Sequence, residues 1–172
     1  MLHEAIGSDR ECIENLMQFY NYELSAWYPI DIGAKGQFCI RSKSTYWAQD
    51  HVQPYLLRVG GALAGFAVVD GETQLSTSRY NLGYLFVARR FRGQGVGKAA
   101  FEQLLTPRPG AWEVYHLAKN RDAAGFWSSL FRDAGIQPER VVIDNEASVI
   151  YRFASPLQFS GTAQSCRTEA CT

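Results

Sequence analysis

Arg92-Gly93-Gln94-Gly95-Val96-Gly97-Lys98 joins a β-rich run, residues 80–88, to a helical one, residues 99–105. Glycines at such a junction permit positive φ and let a ligand approach the backbone closely. The first turn of the helix adds unpaired N–H groups under a partial positive charge. Arg92 and Lys98 bring local cations. Together these features predict a cradle for phosphate oxygens. A Walker P-loop is excluded, because Arg92 stands where its first glycine belongs and Ala99 where its Ser/Thr belongs. A dinucleotide fingerprint can be drawn as Gly95-x-Gly97-x-x-Ala100. The runs before it look like hairpins, however, and no acid ends the following strand; Glu113 is near its start. A tight turn with incidental glycines is the bland alternative, but it requires fewer glycines and no flanking cations.

Outward from this loop, residues 55–59 and 62–69 are β-rich runs joined by Gly60-Gly61, an antiparallel hairpin signal. Asp70-Gly71 marks the next turn. Downstream, residues 112–118 read as a strand and 120–134 as a helix ended by Gly135. Residues 140–143 and 148–153 read as a closing strand pair. Upstream, residues 2–6 suggest a short strand, and Ser8 or Asp9 an N-cap. Cys12, Ile13, Leu16, Met17, Phe19, Tyr20 and Leu24 then recur at helical steps up to Pro29. Residues 30–40 show no period and are expected to be a loop, with a short helix at 44–50. The order predicts helices on a mixed sheet rather than a regular βαβ ladder.

The whole chain sets the bounds. Its 172 residues suffice for one domain, expected over 1–155 with a tail at 156–172. Hydrophobic residues form 47% and charged residues 20%, with zero formal net charge. That balance argues against nucleic acid or an anionic membrane as a partner, so any cationic site must be local. No apolar run reaches the roughly 18–20 residues of a membrane span. The opening Met1-Leu2-His3-Glu4-Ala5 lacks an export signal, which makes the cytoplasm the expected location. Cys12 and Cys39 are isolated. Cys166 and Cys171 lie in a polar tail, spaced too widely for a C-x-x-C pair. Three scattered histidines offer no zinc pattern, so no metal is expected.

The loop and its surroundings resemble the GNAT acetyltransferase superfamily. Its signature, Gln/Arg-x-x-Gly-x-Gly/Ala after a strand, is met by Arg92-Gly93-Gln94-Gly95-Val96-Gly97. Phe86-Val87-Ala88-Arg89-Arg90-Phe91 is similar to the family's preceding strand end. Asn120-Arg121-Asp122-Ala123-Ala124-Gly125-Phe126-Trp127 is similar to its Asn-x-x-Ala-x-x-Phe-Tyr helix start, except at the last position. Weaker likenesses to predicted bacterial members run through Tyr20–Ser25, Gly36-Gln37-Phe38, Tyr46-Trp47 and Gly65-Phe66. The resemblance implies an α/β (α+β) GNAT fold: a central mixed, mostly antiparallel sheet of about seven strands with about four flanking helices. It also implies acetyl-CoA as cosubstrate and a small-molecule amine as acceptor, and it leaves room for a homodimer.

By the same resemblance, backbone groups of Phe86, Val87 and Arg89 should take the pantetheine arm between two splayed strands. Amides from Gly93 through Lys98 (Gly93, Gln94, Gly95, Val96, Gly97, Lys98), with Arg92 at their start, should hold the pyrophosphate. Asn120 either touches the cofactor or caps its helix. Val87 N–H is the expected oxyanion donor. Two departures from the pattern stand out: Tyr84 occupies the place of a frequent Glu, and Trp127 that of the usual tyrosine acid. Tyr84 is read either as a substitute proton donor or as a packed strand aromatic. Glu23 is the first candidate to bind or deprotonate the amine, with Asp31 and His116 behind it. Trp27, Tyr28, Tyr46 and Trp47 suggest an acceptor wall or plain packing. The expectation is direct acetyl transfer, because no cysteine stands in the predicted cleft. A non-catalytic acyl-CoA-binding sensor is the alternative that the Tyr84 and Trp127 departures raise.

Overall fold

The computed structural model describes residues 1–39, 44–145 and 147–155 of the chain, without the side chains of residues 44 and 45. The tail, with Cys166 and Cys171, lies outside the described residues. The elements are β1 (Leu2–Glu4), α1 (Arg10–Leu24), α2 (Ser44–Trp47), β2 (Gln53–Val59), β3 (Ala62–Asp70), β4 (Tyr80–Val87), α3 (Val96–Leu105), β5 (Ala111–Leu117), α4 (Arg121–Ala134), β6 (Glu139–Ile143) and β7 (Ser148–Ala154). The strands form one sheet in the order β1-β2-β3-β4-β5-β7-β6. Every neighbouring pair is antiparallel except β4 with β5. This is the expected GNAT fold, with three long helices and the single turn of α2. Boundaries differ from the expected ones by a few residues. Helix α3 starts at Val96 rather than residue 99, because the loop glycines run straight into its first turn.

Alternation along the central strands sends side chains to two cores. Tyr55, Leu57, Ala67, Val69, Trp112 and Val114 meet α3 and α4 through Phe101, Leu104, Trp127 and Phe131 on one face. Leu56, Phe66, Val68 and Phe86 meet Ile13 and Met17 of α1 on the other. With both faces covered, β2 and β3 read as nearly continuous apolar runs. Gly60 and Gly61, at φ 56° and 83°, make the two-residue turn that joins them. One member of the α1 stripe departs from expectation: Phe19 is 60% exposed, because only Ile13 and Met17 face the sheet squarely. Among the described residues no helix is long and apolar enough to cross a membrane, and no cluster of His, Cys, Asp or Glu is placed to hold a metal.

Candidate active site

Strands β4 and β5 pair only at Tyr80↔Trp112 and Asn81↔Glu113. Beyond that point β5 stays with β7, while β4 stays with β3. A bulge starts the divergence. Val68 opposes Tyr84 and Val69 opposes Leu82, so Gly83 is an extra residue that bends β4. The edge of β4 facing β5 is therefore open from Gly83 onward. Ala88 N–H donates to the Ala64 carbonyl at 2.8 Å. The Phe86 carbonyl also points to β3, where a Cβ on Gly65 would lie 1.9 Å from it. Main-chain groups alternate along a strand, so those of Val87 face the opening while those of Phe86 belong to the β3 ladder.

The glycine loop closes the end of this opening. Gly93 and Gly95 have φ 72° and 76°, and a Cβ on either would meet nothing within 4 Å. Gly95 is the N-cap of α3, whose first hydrogen bond runs from Ala99 N–H to Gly95 O at 2.9 Å. The amides of Val96, Gly97 and Lys98 thus precede the first helical acceptor. Gly97 serves packing as well, because its Cβ would lie 3.0 Å from Phe126 Cε2 of α4. Gln94 donates to Arg90 O at 2.8 Å and so ties the loop internally. Lys98 Nζ lies 3.9 Å from Asp133 Oδ2.

Glu23, at the end of α1, reaches this loop. Arg89 Nε and Nη2 donate to its two oxygens at 2.8 and 3.3 Å, and Arg92 Nη2 lies 3.3 Å from Oε1. The Arg89 hydrogen bond, helped by Arg92, holds the Glu23 carboxyl below the usual carboxylate range. Arg92 Nε also donates to Val87 O at 2.8 Å, across the open edge of β4. Glu23 is therefore paired with two cations.

A family model described as Acetyltransferase (GNAT) family matches residues 16–130. The chain belongs to the GNAT acetyltransferase family. An acetyltransferase from Thermus thermophilus has a similar fold, with TM-score 0.66 at 15% identity over 90% of this chain and 97% of that one. The ribosomal-protein-S18-alanine N-acetyltransferase of Escherichia coli matches with TM-score 0.53 at 17% identity, over 94% and 96%. A spermidine/spermine N-acetyltransferase of Vibrio cholerae matches with TM-score 0.55 at 12% identity, over 90% and 92%. A search of the curated proteins returns no match.

Other GNAT-site candidates fall in varied settings. Tyr84 is half-buried on the α1 side, its ring 5.4 Å from Tyr20 and 6.2 Å from Phe66. Trp127 is buried against Phe101 and Phe131. Asn120 Oδ1 accepts from Ala123 N–H at 2.9 Å and so caps α4. His116 is buried with Nδ1 2.8 Å from Leu117 O, while its Nε2 has no partner. Asp31 and Tyr28 are exposed in the loop after α1.

Sequence reading missed a buried polar group beside the bulge. Asp70, only 3% exposed, accepts from Tyr46 OH at 2.7 Å, Asn81 Nδ2 at 2.9 Å and Glu72 N–H at 3.0 Å. Burial, reinforced by Asp70, pushes the Tyr46 hydroxyl well above its usual range. The available signal was Asn81, a lone polar residue inside an otherwise apolar strand; Asp70 beside Gly71 reads only as part of a turn.

Proposed function

We propose that this GNAT protein transfers the acetyl group of acetyl-CoA directly to a small-molecule amine in a ternary complex. The observation carrying this reading is the β4 edge left without a β5 partner beyond Asn81, where among the described residues only Arg92 reaches Val87 O, running into a glycine loop whose helix-start amides precede the first helical acceptor. Such an edge accepts the pantetheine arm as an added strand, and the amides of Gly93 to Lys98 receive the pyrophosphate. Phe86 contributes to that site by supporting Arg92, whose guanidinium lies over its ring at 6.0 Å, rather than through its main chain. Arg89 offers the N–H that starts the turn Arg89–Phe91. Asn120 is assigned to its helix cap.

Acetyl-CoA supplies an activated thioester. Val87 N–H then stabilises the oxygen of the attacked carbonyl, and alignment in the opening supplies much of the acceleration. With Trp127 in the tyrosine's place, the thiolate leaves without a full proton donor, which a thiol pKa of about 8.5 tolerates. Tyr84 is assigned to the acceptor wall. Initial-velocity kinetics with acetyl-CoA and amine both varied should give intersecting lines; parallel lines would mean an acetylated enzyme and overturn direct transfer. Acetyl-CoA binding without turnover of any amine would favour the sensor reading that buried Trp127 keeps alive.

Glu23 acts as the anchor of Arg89 and Arg92, not as a base. Its lowered pKa makes the latch complete at neutral pH; it is lost as the pH falls below the ordinary value of 4.5 through the depressed one. Glu23→Gln should lower kcat less than about tenfold and leave the acid limb of the pH profile in place. Removal of a true general base would cost about 10²–10⁴-fold, and a fall of that size would return Glu23 to the chemistry.

A further inference from the structure

Where the opening begins, the sheet face toward α1 and α2 carries a row of buried acceptors that have no paired cation among the described residues. Asp70, Asn81 and Glu113 occupy one row across β3, β4 and β5, because Asp70 opposes Asn81 and Asn81 opposes Glu113. All three are buried, at 3%, 4% and 1% exposure. Glu113 accepts from the N–H groups of Gln74 and Leu75. Among the described residues neither carboxylate has a Lys or Arg within ion-pairing distance. Asn81 spends its Nδ2 on Asp70, and its Oδ1 has no hydrogen-bond partner. A buried carbonyl without a donor, set between two carboxylates, asks for an N–H group.

Tyr46 lies over this row and is half-buried. Its hydroxyl donates to Asp70, which leaves the lone pairs of its oxygen to accept. Asp70 sits close to β4 only because Gly83 has no side chain, since a Cβ there would lie 2.5 Å from Asp70 Oδ2. The carboxylate is thereby placed at the bulge where the opening begins. Tyr84 lies next to Tyr46, with ring centroids 6.5 Å apart, and Tyr20 next to Tyr84. Aromatic faces beside two buried carboxylates favour a cation over an anion.

Resting on the acetyltransferase reading, we propose that Tyr46 receives the N–H of the acceptor amine and that Asp70 and Asn81 act through it as positioning residues. The site so formed selects an alkylamine with no carboxylate on the amine-bearing carbon; it is drawn in as the ammonium ion and attacks as the neutral amine after losing a proton to water. A zwitterionic amino acid would bring its own anion toward Asp70 and Glu113, which have no paired cation among the described residues to offset it. Arg89 and Arg92, beyond Val87, are held by Glu23, and Arg79, two residues before Asn81, lies over the Tyr80 ring.

Butylamine and norvaline, which differ by that carboxylate, make the test with the full chain. Wild-type protein should acetylate butylamine with at least about tenfold higher kcat/KM, the effect of one well-placed ionic contact. Tyr46→Phe should raise the butylamine KM about tenfold while acetyl-CoA affinity stays within about twofold, because one hydrogen bond to a charged group is lost. Asp70→Asn, which keeps an acceptor for Tyr46, should raise the same KM. Equal or better use of norvaline overturns the proposal. So does a lower Tm in both variants with unchanged KM, which would make the network a loop anchor only. Acetyl-CoA binding without turnover of either amine also overturns it. Failure of wild type to bind acetyl-CoA would instead strike the enzyme reading beneath it.

Discussion

Replacing Gly95 by valine is expected to weaken acetyl-CoA binding by about ten- to hundredfold. The loss corresponds to one charge-assisted hydrogen bond of about 1.5–3 kcal/mol at 1.4 kcal/mol per decade. Two causes act together. Gly95 has φ 76°, a region that costs an L residue roughly 1–2 kcal/mol. Valine would also place two methyl groups where the space around the loop is open, in the path of a phosphate approaching the amides of Val96 to Lys98. Gly95 is a cleaner position than Gly97, whose Cβ would press on Phe126 and mix packing with binding. Calorimetry with acetyl-CoA checks the outcome, and circular dichroism checks the fold. Unchanged affinity in a folded variant would remove the loop from the cofactor site.

Gly65→Ala should be the most damaging single-methyl change in the chain. Its Cβ would sit 1.9 Å from Phe86 O and 3.1 Å from Val87 Cα, both backbone atoms that cannot rotate away. Separating β3 from β4 is the only relief, and it breaks a ladder between two strands buried on both faces. A loss of about 3 kcal/mol or more is expected, in the range of severe core disruptions. Any folded fraction should also lose acetyl transfer, because Val87 pairs with Gly65 and would shift with it. Denaturant unfolding measures the first effect and specific activity of the folded fraction the second. A midpoint near that of the wild type would show that this backbone contact is looser than described.

What the sequence disclosed follows from how local each signal is. Loop glycines, the Gly60-Gly61 turn and the Asn120 cap act within a few residues, so the strand-loop-helix order could be read directly. The resemblance then supplied the sheet and the opening between β4 and β5. Contacts between distant residues were not legible. Glu23 lies 66 positions from Arg89, and only the fold shows that both its oxygens are taken. The orientation of the Phe86 carbonyl depends on pairing with β3, and a strand pattern does not say which edge carries which main-chain groups. Asp70 beside Gly71 has the composition of any surface turn; its burial arises because the Gly83 bulge and the α2 turn meet over it. Phe19 errs the other way, since helical spacing predicts a face but not how far a narrow sheet contact extends along it.

Acetyl transfer to an amine is read without intermediaries from the product itself. Purified protein would be incubated with acetyl-CoA and a panel of alkylamines, polyamines, amino acids, aminoglycosides and peptide N-termini, with N-acetylated species read by mass spectrometry. At least one amine should be acetylated in step with release of free CoA thiol, and product should fall in proportion to weakened cofactor binding in the Gly95→Val protein. Acetyl-CoA bound with no amine of any class acetylated, or the acetyl group found on the protein instead, would contradict it.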